Sequence, residues 1–209
     1  MSIRRLSTTS ISSTGGKSSK FWDQETTLGT YESIATAVVD ASGSATVTFS
    51  NIPQNYAHLQ IKYAAQSNRA LYVDNLEMYV NDDQGANYST HYLIADGVNV
   101  PSSSNGVNST GFLATTQCLG SSTANTSCFG AGTIDILDYS STSKYKTLKA
   151  IWGLNLNTAD SSGSYGRLGI SGGNWRNSSS GITSITFYPT LGSLFTQYSQ
   201  FSLYGIRGA

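Results

Sequence analysis

The sequence predicts an all-β protein: an antiparallel β-sandwich, jelly-roll-like, of about ten short strands behind an extended N-terminal arm. Three observations lead there. The chain is rich in Tyr (13), Thr, Val, Ile and Phe, residues that fit a pleated, half-buried surface, and it lacks the Glu, Lys, Leu and Ala runs that build helices. Its apolar residues fall in short alternating segments punctuated by Gly, Ser and Asn. No strand–helix alternation of the parallel α/β type is present.

The first segment, 1–28, is the arm. MSIRRLSTTSISSTGGKSSK is Ser/Thr/Gly-rich and holds too few apolar groups to fold alone. Phe21 and Trp22 follow as adjacent large aromatics, the residue type that anchors interfaces. With Arg4, Arg5, Leu6 and Ile11 they form the expected partner-docking set. The body, 29–209, is read as one sandwich domain.

Within the body, strands are expected at 31–39, 45–50, 58–65, 76–80, 87–94, 111–119, 132–139, 145–156, 165–173, 181–188 and 201–206. In ATVTFS, Val47 and Phe49 share a face. In HLQIKYAA, Leu59, Ile61 and Tyr63 point inward and Gln60 and Lys62 outward. LEMYV and NYSTHYLI, joined by NDDQGA, read as a hairpin with a polar loop. LKAIWGL places Trp152 in the core, and Trp175, in GGNWRNSSSG, falls in a polar loop, either as an exposed contact or folded back over the sheet. The last strand, FSLYGI, ends almost at the terminus, where chains usually fray; a sandwich explains it by pairing first and last strands in the middle of a sheet.

Charge excludes some functions. Charged residues are 11% of the chain and the net charge is zero, against roughly 25% charged in ordinary soluble domains. Four of the twelve basic residues (Arg4, Arg5, Lys17, Lys20) precede the first acid, Asp23. A neutral chain without a basic face is a poor nucleic-acid ligand. No apolar run suits a signal peptide or a membrane span, so synthesis in a cytoplasm and no membrane insertion are expected. Cys118 and Cys128 could face each other across a hairpin or remain free thiols.

Catalytic chemistry finds little local support. His58 and His91 sit in no ligand-spaced pair, and no nucleophile elbow or phosphate loop occurs. A glycosidase needs two carboxylates across a cleft; Asp74, Glu77, Asp82, Asp83, Asp96, Asp135 and Asp138 are the candidates, and no motif pairs them. NDDQGAN is oxygen-rich but carries two carboxylates where calcium wants six to eight oxygens. The expectation is a non-enzyme with no metal and no cofactor. Trp175, Arg176 and Tyr165 are the candidate contacts to a receptor or glycan.

Several segments, in order, carry a resemblance: YESIATAVV (31–39), TFSNIPQNYAHLQIKYAAQSNRA (48–70), NYSTHYL (87–93), ILDYSSTSKYKTLKAIWG (136–153), GITSITFYP (181–189) and FSLYGI (201–206). Together they resemble a group of structural proteins of tailed bacteriophages, common in marine and cyanobacterial phages. The resemblance implies a virion component assembled in the host cytoplasm, an exposed tail-associated appendage (fibre, spike or adaptor-bound) and a homotrimer, with no catalytic residues. Its partners would be copies of itself, a tail or portal-proximal adaptor and, through the loops, a host-surface glycan. The alternatives are a decoration or cement protein on the major capsid protein, and a carbohydrate-binding module.

Overall fold

The computed structural model describes residues 30–106, 108–121, 127–161 and 163–208, with backbone alone at 113–118. Arg4, Arg5, Leu6, Ile11, Phe21 and Trp22 lie outside the described residues, as does the side chain of Cys118. The described chain is all-β without a helix. Its twelve strands are β1 (Tyr31–Val38), β2 (Val47–Phe49), β3 (His58–Ser67), β4 (Val73–Val80), β5 (Tyr88–Ala95), β6 (Ser102–Ser104), β7 (Phe112–Ser121), β8 (Gly130–Leu137), β9 (Lys146–Asn155), β10 (Gly166–Trp175), β11 (Ile185–Pro189) and β12 (Gln200–Ile206).

They form a long sheet, β1-β12-β3-β8-β9-β10-β5-β6, and a short one, β2-β11-β4-β7. The eight strands β1-β12-β3-β8 and β2-β11-β4-β7 alternate between sheets in jelly-roll order. β9, β10, β5 and β6 then widen one sheet. Pairing is antiparallel except at one seam, where Gln66 and Ser67 of β3 lie parallel to Gly120 and Ser121 of β7 and join the two sheets.

The C-terminal strand is interior, as a core strand must be. β12 pairs with β1 on one side and with β3 on the other, from Gln200↔Ala64 to Ile206↔His58. β1 is at the sheet edge rather than in its middle. Phe201 makes β12 indispensable to the core. It stacks on Tyr63 (5.9 Å) and on Phe187 of the short sheet (5.1 Å), and meets Phe195 edge-on (5.1 Å). Aromatic pairs at such spacing add to simple area burial.

Two expectations are corrected. LEMYV and NYSTHYLI do not form a hairpin. β4 pairs with β11 and β7 in the short sheet, whereas β5 pairs with β10 and β6 in the long one. Asn81 and Asp82 both adopt positive φ (52° and 55°), which turns the chain out of β4 and across to the other sheet; Asn and Asp tolerate that region through local hydrogen bonds. The Ser-rich stretch after Pro101 also contains a short edge strand, β6, which has no apolar residue to announce it.

The widened half has its own packing rule. Trp152 of β9 stands between Gly132 on β8 and Gly169 on β10. A Cβ at Gly169 would lie 2.4 Å from the indole, so the ring lies over bare backbone. Turns are held by amide and carboxylate side chains acting as backbone surrogates. Asn81 Oδ1 accepts from the amides of Thr183 and Ser184, and its Nδ2 donates to Gly181 O. The buried Asp74 accepts from the amides of Asn75, Leu191 and Gly192.

Candidate functional site

Trp175 is not in a loop. It closes β10, opposite Tyr88 of β5 and Lys146 of β9, and is 1% exposed. Its Nε1 donates to Asp83 Oδ2 at 2.7 Å. Asp83 Oδ1 also accepts from the amide of Gly85 (2.9 Å), and Asn87 Nδ2 donates to the same carboxylate. Partial burial pushes the Asp83 carboxyl up, but these donors outweigh it and hold it below its ordinary value. The Lys146 ammonium lies 5.2 Å from the indole centroid and donates to Asn177 O (2.9 Å); desolvation lowers its pKa. Trp175 is thus corrected from exposed contact to interior anchor, because the adjacent loop supplies a carboxylate that satisfies its N–H inside the fold.

The other two proposed contacts stay at the surface but apart. Tyr165 is 64% exposed just before β10, and Arg176 is exposed just after it. A ten-residue strand, Gly166–Trp175, separates them, about 33 Å of extended chain. The three residues therefore make no common platform.

Several of the carboxylates weighed for acid–base work are engaged in turns and pairs. Asp96 Oδ1 accepts from the amides of Val98 and Asn99. Asp135 accepts from Gln60 Nε2 (2.8 Å) and pairs with Lys149 (3.3 Å). Asp138 pairs with Lys144, and the His58 imidazole accepts from the Asp138 amide. Asp160, which is outside that set, pairs with the buried Arg167. Glu77, opposite Tyr188 across β4 and β11, is pushed up by burial, against a lowering hydrogen bond from Tyr188. Among the described residues no three His, Cys, Asp or Glu side chains gather as a metal-holding group, and no helix is long and apolar enough to cross a membrane.

The feature that sequence reasoning missed is the outer face of the long sheet. β10 is inverted. Its inward positions are Arg167, Gly169, Ser171, Gly173 and Trp175, while Leu168 and Ile170 face out, 59% and 50% exposed. Small residues are required inside because Trp152 crosses Gly169 and the Phe112 ring lies against Gly173. Ile151 on β9 and Leu93 on β5 flank Ile170 directly in register, 54% and 41% exposed. One step along the strands runs a parallel polar row: Gln60, Asp135, Lys149, Gly172 and His91. Gly172 leaves a gap between Lys149 and His91, where a Cβ would meet only Leu148 O at 3.9 Å. The two rows enclose an open groove of about 570 Å³. A signal was present in the sequence: Ile151 breaks the alternation of Leu148, Ala150, Trp152 and Leu154, all of which are buried.

At the opposite end of the same face, Tyr31 and Tyr204 stack at 4.8 Å, with the Lys62 ammonium 5.3 and 5.4 Å from their ring centroids. Nearby, Tyr56 donates to Glu32 Oε2 (2.7 Å) and Arg207 reaches the same oxygen at 3.3 Å. This ties the last residues to β1, where the chain enters the sandwich.

No protein-family model and no curated protein matches the chain. Among solved structures, the catalytic domain of PdAgaC aligns over 85% of this chain and 76% of that one, at 8% identity and a TM-score of 0.20. Likeness at that level carries no argument about fold or activity.

Proposed function

We propose that the chain is a non-enzymatic structural component of a tailed-phage virion: an exposed tail-associated appendage, docked through residues 1–28, with its sandwich packed against neighbouring subunits. The observation that carries this reading is the inverted strand β10. It displays Leu168 and Ile170, beside Ile151 and Leu93, on the outside of a charge-poor sandwich. Contiguous exposed apolar side chains on a sheet face mark association surfaces. The ordered sequence resemblance supplies the setting in which such a surface is used. The engagement of Asp74, Asp83, Asp96, Asp135 and Asp138 in turns and pairs supports a structural rather than a chemical role for the acids.

Quantitative mass spectrometry of gradient-purified particles tests the reading. The chain should be present at fixed stoichiometry and should be lost from particles when residues 1–28 are deleted. Its absence from purified particles would overturn the proposal. Stoichiometry matching the major capsid protein would favour the decoration alternative.

A further inference from the structure

We infer that the outer face of the long sheet is a two-fold contact between two copies of this chain. The inference rests on reading that face as an association surface and adds the identity of its occupant. The face is self-complementary. On β10 the Ile170 knob and the Gly172 gap are two residues apart on the same side. On β9 the order is reversed: Gly153 lies beyond Ile151, beside Leu168, and Lys149 stands beside the Gly172 gap. A two-fold axis lying in the face, between the polar and the apolar row, sets Ile170 of each copy over the Gly172 gap of the other. Such contacts are isologous, residue for residue.

Charge and area agree. The same axis brings Asp135 of one copy beside Lys62 of the other, since Asp135 lies in the polar row and Lys62 in the apolar row on the adjoining strand β3. It also lays the aliphatic stem of Lys149 over the partner's Ile151, with the ammonium still paired with Asp135 of its own chain. Six strands from β12 to β5 at about 4.8 Å are about 29 Å across, and seven residues at about 3.3 Å are about 23 Å along. That is about 670 Å² per copy and about 1,300 Å² in total, within the range of stable specific interfaces.

Light scattering and sedimentation equilibrium of the purified full chain, away from any particle, test this. The mass should double with concentration; association to three copies without a two-copy species, as the resemblance implies, would overturn the two-fold contact. Ile170→Lys should weaken the association by about tenfold or more, with unchanged circular dichroism because the site is solvent-exposed. Leu191→Lys, on an exposed loop elsewhere, should leave it intact. The double variant Ile170→Cys, Gly172→Cys should form a reducible covalent dimer on oxidation. A wild-type chain that stays a single copy at all concentrations overturns the inference, as does association that is indifferent to Ile170→Lys and yields no cross-link. Neither result bears on whether the chain is in particles, which the mass spectrometry decides separately.

Discussion

Trp175 Nε1 donates to Asp83 Oδ2 across 2.7 Å, and this bond fixes the loop that carries the chain from the short sheet to the long one. The indole is 1% exposed, so its N–H has no water to turn to. Asp83→Ala leaves that donor unsatisfied and should cost about 1–3 kcal/mol. Trp175→Phe, which removes the donor but keeps most of the volume, should cost less than Asp83→Ala. Urea titrations of the two variants check the order; equal or reversed costs would show that the bond is incidental.

The acid limb of stability should follow the carboxylates that the fold favours as anions. Hydrogen bonds from Trp175, Gly85 and Asn87 hold Asp83 low against the effect of burial. The Lys144 contact holds Asp138 low, and the Tyr56 hydroxyl, with Arg207, holds Glu32 low. A lowered folded value means that the contribution is complete above the unfolded value of about 4 and is lost as pH falls through the folded value. Urea midpoints should therefore drop steeply below about pH 4, and Asp83→Asn should flatten that drop.

Glu77 should act with the opposite sign. Burial raises it from 4.5, so the fold disfavours its ionised form and its contribution declines as pH rises past that value. Glu77→Gln should gain stability relative to wild type at pH 7 and not at pH 4. A variant equally destabilised at both pH values would refute this.

Two adjacent glycines should behave differently. A Cβ at Gly173 would fall 1.9 Å from Ser89 O and 2.8 Å from the Phe112 ring. Gly173→Ala should cost about 2 kcal/mol or more through forced backbone displacement. At Gly172 the nearest atom is 3.9 Å away, so Gly172→Ala should be neutral or gain about 0.4–1 kcal/mol by restricting the unfolded chain. Thermal melts of the pair at low protein concentration distinguish them directly.

Phe201 bridges the sheets through Tyr63, Phe187 and Phe195. Phe201→Ala should cost about 3–5 kcal/mol, more than truncation of any exposed aliphatic of the outer face. Comparable losses at Phe201 and Leu168 would contradict the assignment of core and surface.

The strands and the jelly-roll class were legible because the inward residues of β3, β4 and β9 alternate cleanly, as Leu59, Ile61 and Tyr63 do. The C-terminal core strand was legible for the same reason. Sheet membership was not. The short link from Val80 to Tyr88 has the residues of a hairpin turn, yet the positive φ of Asn81 and Asp82 sends it to the other sheet. Trp175 was misplaced for a local reason: it looks solvent-bound amid Asn and Ser until Asp83, 92 residues away, is brought to its N–H. The face of β10 was hidden because apolar residues are read as core. Only the Trp152 ring lying over Gly169 shows why Leu168 and Ile170 must point out.

Immunogold labelling of intact particles with antibody against residues 30–209 asks whether the chain is on a phage particle's exterior, as proposed. Label confined to the tail vertex is expected. Label spread over the whole head would move the chain to the capsid surface, and no label on any particle would refute the proposed function.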